Sequence, residues 1–174
     1  MRALKTLTFI YVPREDRVVA AINAGQPDAW SCWLTRRLAL AVLDRAAEYL
    51  TSTSGLAQRA PAELRGELIA FERDAAIAKT SRAMSVTPSD VLKSSASAAE
   101  LAERLTITQQ RDGFRLDLLG QSGSGAAGVL KRAEMQRMLQ MLQIQVTNAA
   151  WLTAPGKPQA APAPAANDPK PVRH

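Results

Sequence analysis

Between Leu7 and Val12 the apolar positions fall on both sides of an extended chain: Leu7, Phe9 and Tyr11 on one face, Ile10 and Val12 on the other. A strand with no polar face predicts a central place in a sheet, or a cover on each side. Pro13-Arg14-Glu15-Asp16 turns the chain, and Val18, Ala20 and Ile22 alternate on the return, so residues 4–25 read as a hairpin. Gln26-Pro27-Asp28 breaks the pattern, and Asp28 is placed to cap a helix beginning near Trp30. That helix carries Leu34, Leu38, Ala41, Val42 and Tyr49 on one stripe, widened by Leu40, Leu43, Ala47 and Leu50.

The same order of elements recurs. Leu105 and Ile107 lead into Asp112-Gly113, a pair that tolerates the positive φ of a tight turn, and Phe114, Leu116 and Leu118 return. A second helix is expected from about Val129 to Leu152, with Met135, Met138, Leu139, Leu142, Val146 and Ala149 on one face. Leu34, Arg36 and Leu43 have the spacing of Leu130, Arg132 and Leu139, which predicts an internal repeat over 4–50 and 104–152. Residues 56–103 form the insert between them. Pro61 suits the first turn of an amphipathic helix from Ala62 to Met84, whose Leu64, Leu68, Phe71, Ala75 and Ala78 repeat at helical spacing and predict a core-facing stripe. Thr87–Ser97 reads as a loop and Ala98–Glu103 as a short helix.

The fold class expected is therefore α+β: two β-hairpin–helix units forming an antiparallel sheet packed by helices, as one domain over 1–153. Residues 154–174 hold prolines and alanines without an aromatic residue, a composition that predicts a flexible tail.

Composition removes several chemistries. The lone histidine, His174, stands at the last position, so serine or cysteine hydrolase triads lack a base, and with one cysteine a conventional zinc site lacks ligands. The lone cysteine also excludes an intramolecular disulfide framework. The apolar run near residue 10 is too short for a signal sequence or a membrane span, which predicts a cytoplasmic protein. Acidic side chains sit beside basic ones on helix surfaces, and neither a catalytic constellation nor a metal or cofactor set is expected. Gly123, Gly125 and Gly128 match the spacing of a phosphate-cradling loop, a weak candidate because no parallel strand can follow and no acidic residue stands where a ribose would be held. Cys32 is expected as a small apolar residue of the interior.

What remains predicts a non-enzymatic interaction module, an adaptor or assembly subunit binding another protein or a second copy of itself. Trp30, Trp33, Met135, Met138 and Met141 are its candidate partner-binding residues. The alternative is nucleic-acid binding: the net charge is +6, and Arg36, Arg37, Lys131 and Arg132 occupy like positions that folding could gather.

Overall fold

The computed structural model describes residues 1–80 and 95–152. Within them a curled sheet of seven strands is packed by helices, a mixed α and β architecture. The strands are β1 (Arg2–Ala3), β2 (Leu7–Val12), β3 (Arg17–Ile22), β4 (Trp30–Leu34), β5 (Glu100–Gln110), β6 (Gly113–Gly120) and β7 (Gly125–Leu130). The helices are α1 (Arg36–Ser52), α2 (Gly55–Arg59), α3 (Arg65–Thr80) and α4 (Arg132–Asn148), with a 3-10 turn at Ala62–Leu64 before α3.

Both expected hairpins are present, β2 with β3 and β5 with β6, each antiparallel. Each then continues into a third strand before its helix. Trp30 and Val129 lie in β4 and β7, and the helices open later, at Arg36 and Arg132. Asp28 accordingly caps neither helix. Thr35 caps α1, its hydroxyl accepting from the Leu38 N–H at 3.2 Å, and the Glu134 carboxylate accepts the Lys131 N–H at 2.8 Å to start α4. Glu100–Glu103, expected as helix, belong to β5. The two strand–strand–strand–helix segments run in step: Arg17 and Gly113 open their second strands, Leu34 and Leu130 close their third, and both long helices have 17 residues.

The sheet order is β1-β7-β6-β5-β4-β3-β2. β1 and β2 stand at its opposite ends, yet Leu4, Lys5 and Thr6 alone separate them in the chain. So short a link reaches about 14 Å at most, and the sheet curls until its ends meet. The sheet is not antiparallel throughout, because both joints between the two segments are parallel. β7 takes β1 with Arg2 opposite Ala126, and β4 takes β5 with Cys32 opposite Glu100. In each case the first strand of one segment starts on the third strand of the other, then shifts onto its own hairpin partner.

The helices cross over as well: α4 packs on β2 and α1 on β5, while α1 and α4 lie against each other. One core results, holding Phe9, Val18, Ile22, Leu34, Val42 and Leu50 together with Leu116, Leu118, Met135, Leu142 and Val146. The opposite face of β2 and β3 buries Ile10 and Ala21 beside Ala24. This accounts for a first strand apolar on both sides.

α3 lies against α4, but not by the stripe its periodicity suggests. Leu64 and Phe71 face solvent, Phe71 being 68% exposed, while Ala76 is buried and Ile69, Glu72 and Arg73 are partly covered. Residues 154–174, expected as a tail, lie outside the described residues, as do His174 and most of the expected loop 87–97. Among the described residues no helix is long and apolar enough to cross a membrane.

Candidate functional site

Two polar joints hold the crossed helices. At the first, Arg36 at the start of α1 donates to the Trp151 carbonyl just past α4 at 3.0 Å. Trp151 is buried, and its indole N–H donates to Asp16 at 2.9 Å. Tyr11 donates its hydroxyl to the same carboxylate at 2.9 Å and stands edge-on to the Trp151 ring, centroids 5.7 Å apart. The Tyr11 N–H donates to Oε1 of Gln145 on α4 at 2.9 Å. The Trp151 and Tyr11 donors, helped by the Arg36 charge, hold the Asp16 carboxyl below its ordinary range, and the bond to Asp16 pushes the Tyr11 phenol up.

At the second joint Arg132, at the start of α4, donates to the Leu50 carbonyl at the end of α1 at 2.7 Å and to Thr53 at 2.8 Å. Its guanidinium also takes one Glu72 oxygen through two nitrogens, at 2.7 and 3.1 Å. The other Glu72 oxygen accepts from Ser54 at 2.8 Å, whose hydroxyl caps α2 at the Ala57 N–H. Thus one ion pair ties α1, α2, α3 and α4 together.

The alternative basic face does not assemble from these residues. Arg36 and Arg132 mark opposite ends of an antiparallel helix pair, and 17 residues at the usual rise separate those ends by about 25 Å. Both arginines already bond to backbone carbonyls, and Arg37 and Lys131 beside them are exposed.

The partner-binding candidates also part company. Met135 and Met138 are buried in the core between α4 and the sheet, because the methionine face is the face α4 turns inward, and Met141 packs partly against it. Trp30 is held at the β4–β5 seam. Its indole N–H donates to Glu100 at 2.8 Å, and the Arg2 guanidinium lies 6.0 Å from its ring centroid. Trp33 lies half-buried on the other face of β4, beside Ser31, whose hydroxyl donates to the Ser95 carbonyl. Glu100 further accepts from the Ser122 N–H and hydroxyl at 2.7 and 2.8 Å, and the backbone bond leads in lowering its carboxyl pKa.

The glycine spacing belongs to a hairpin. Gly123 adopts φ +78° in the turn between β6 and β7, and Gly125 and Gly128 lie within β7. A Cβ on Gly125 would stand 2.3 Å from the Leu118 carbonyl oxygen, so strand packing accounts for that glycine. Helix α4 starts beyond the strand, and its first amides do not face this turn. Cys32 is fully buried, and burial, with Glu100 nearby, pushes its thiol up to about 12, which leaves no thiolate for chemistry. Among the described residues no three His, Cys, Asp or Glu side chains converge as metal ligands.

Two features remain unabsorbed by the fold. One is the outward stripe along α3 and the 3-10 turn before it, where exposed Leu64 and Phe71 share a face with half-buried Leu68, and Glu67 and Asp74, seven residues apart, flank it. Its hydrophobic spacing was legible in the sequence; its direction was not. The other is a cavity among α1, α3 and α4 that no motif announced. No protein family, curated protein or solved structure matches this chain.

Proposed function

We propose that the protein is a non-enzymatic interaction module, an adaptor or assembly subunit, and that α3 is its docking helix. The observation that carries this reading is the outward stripe of exposed Leu64 and Phe71 with half-buried Leu68 between them, along α3 and the turn that leads into it, on a helix whose other side is already packed. Large apolar side chains grouped on one helix face are the anchors that helix-in-groove and helix-on-helix partners use. Glu67 and Asp74 lie along one edge of the stripe, both exposed, with Asp74 3.7 Å from its neighbour Arg73. The occupant this charge favours is an amphipathic helix of another protein, apolar on one face and carrying Lys or Arg beside it. The matched element order of the two segments supports a second reading, that a duplicated unit built the scaffold and the insert between the copies supplied the surface.

A photo-crosslinking residue at position 71 tests the docking in the native host. The expected product joins α3 to a segment of one protein with an apolar stripe and basic flank, and Glu67→Lys with Asp74→Lys abolishes it. A probe that crosslinks nothing overturns the reading. A crosslink only to a second copy of this chain, or a yield indifferent to the two charge reversals, overturns the chosen partner.

A further inference from the structure

The helices α1, α3 and α4 line a cavity of about 340 Å³ that opens to solvent past Asp44, Ala47 and Leu152, within the size range of small-molecule sites. Leu43, Leu50, Ile69 and Leu139 form its apolar walls. Gln136 also lines it. That side chain is 97% buried, and its amide nitrogen has no hydrogen-bond partner among the described residues. Buried amide donors are nearly always paired, so this one calls for an acceptor. The more exposed polar residues on the lining, Asp44, Arg73, Gln140 and Gln143, include one charge of each sign and select no ionic group.

We propose that this cavity binds a small apolar molecule carrying a neutral carbonyl oxygen (a ketone, ester or amide), with that oxygen accepting from Nε2 of Gln136. Water could also bond this amide, but it would leave the leucine and isoleucine walls wet, which a ligand with a hydrocarbon body would cover. A carboxylate seated against this amide would give up hydration and meet Asp44 as well as Arg73, so the lining offers it no net charge. A carbonyl oxygen needs one donor, and its hydrocarbon body gains from the walls. The site is separate from the outward stripe of α3. Filling it would nevertheless fix the inner side of that helix, since Ile69 and Arg73 are α3 residues.

The test uses the full chain with 2-octanone as probe and octanoate as the charged comparison, followed by the side-chain amide resonance of Gln136. The expected result is a saturable shift of that resonance with 2-octanone and at least tenfold weaker binding of octanoate. Gln136→Leu removes the orphan donor at similar volume; it should hold or raise the melting temperature and weaken 2-octanone about tenfold. Ala47→Phe, which places a ring in the cavity, should block the probe by simple displacement. Absence of a saturable shift overturns the site. Octanoate binding as tightly as the ketone overturns the neutral acceptor. A Gln136→Leu protein that melts well below the parent overturns the premise, because the amide would then have had a partner inside the fold.

Discussion

At the start of α1, Arg36 reaches a single carbonyl beyond the end of α4. At the start of α4, Arg132 reaches the end of α1, Thr53 and a carboxylate supplied by the insert. The elementary task is shared: a cation placed against the terminal carbonyls of an opposing helix, where the helix dipole favours it. Only the second arginine is locked, its side chain 30% exposed and that of Glu72 18%. The two seams differ in the same sense. Where β1 gives way to β2, Asn23 is fully buried, accepting from the Lys5 and Thr6 amides at 2.9 and 3.1 Å and donating to the Ala3 carbonyl at 2.8 Å and to Asp28 at 3.0 Å, a carboxylate paired with Lys5 near the surface. Where β4 meets β5, the corresponding bonds run to Glu100, an ionised group among partly exposed partners. Like positions in one architecture are held chiefly by backbone bonds to a buried amide on one side, with an ion pair only at its rim, and by bonds to a carboxylate near water on the other. The difference teaches that the repeated pattern specifies where a joint falls, while local burial specifies how strong it is and what conditions weaken it.

The largest effect expected is at the buried seam. Asn23→Ala leaves three backbone groups without partners and should cost about 3 kcal/mol, lowering the melting temperature by roughly 6–12 °C. A loss below about 1 kcal/mol by denaturant titration would show that the seam does not depend on this side chain. Next comes Arg132→Ala, which strands the Glu72 carboxylate and should cost about 2–3 kcal/mol, less than a fully buried pair because both partners keep some contact with water. Arg132→Ala combined with Glu72→Ala should recover part of that loss in a double-mutant cycle; simple additivity would mean the pair is not coupled. Arg36→Ala should cost about 0.5–1 kcal/mol, and equal losses at Arg36 and Arg132 would erase the comparison.

The smallest effect separates the joints by acid. Asp16 and Glu100 have carboxyl pKa values lowered in the folded chain, so the unfolded chain binds their protons first as pH falls. Their stabilisation is full above the ordinary carboxylate values of 3.8 and 4.5, and it disappears as pH drops through the lower folded values. Glu100→Gln should therefore flatten the acid limb of a stability–pH curve below about 4.5. Asn23→Ala should lower the whole curve and disturb the acid limb less, through the one bond its amide gives the Asp28 carboxylate, whose lowered pKa rests first on Lys5. An unchanged acid limb in Glu100→Gln would remove the seam carboxylate from the account.

The hairpins were legible because alternation and Asp112-Gly113 act locally. The third strands were not. Trp30-Ser31-Cys32-Trp33-Leu34 is too short for a period, and β7 is built from glycine and alanine that admit close neighbours yet carry little strand propensity. The matched positions of Arg36 and Arg132 were visible, but their placement at opposite ends of the helix pair follows from crossing helices, a long-range fact. Periodicity likewise found the faces of α3 and α4. It could not say that the methionine face turns inward while the Leu64–Phe71 face turns out, since a stripe records apolarity and not what lies opposite. Gln136 carried no signal, being an ordinary polar position of a helix until α1 and α3 close over it.

The curl of the sheet sets an order of events in time. Residues 2–3 pair with residues 126–127, so during synthesis β1 waits for the last strand of the sheet before its ladder can form. Such distant pairing raises contact order and slows the search for the native state. Until β7 arrives, both parallel seams cannot close together, and β2 and β3 carry apolar residues on two faces with half their cover missing. The nascent chain thus passes through a stage in which an unpaired strand edge is presented to its neighbours, and crowding of identical chains at that stage favours exchange of segments between them over closure within one.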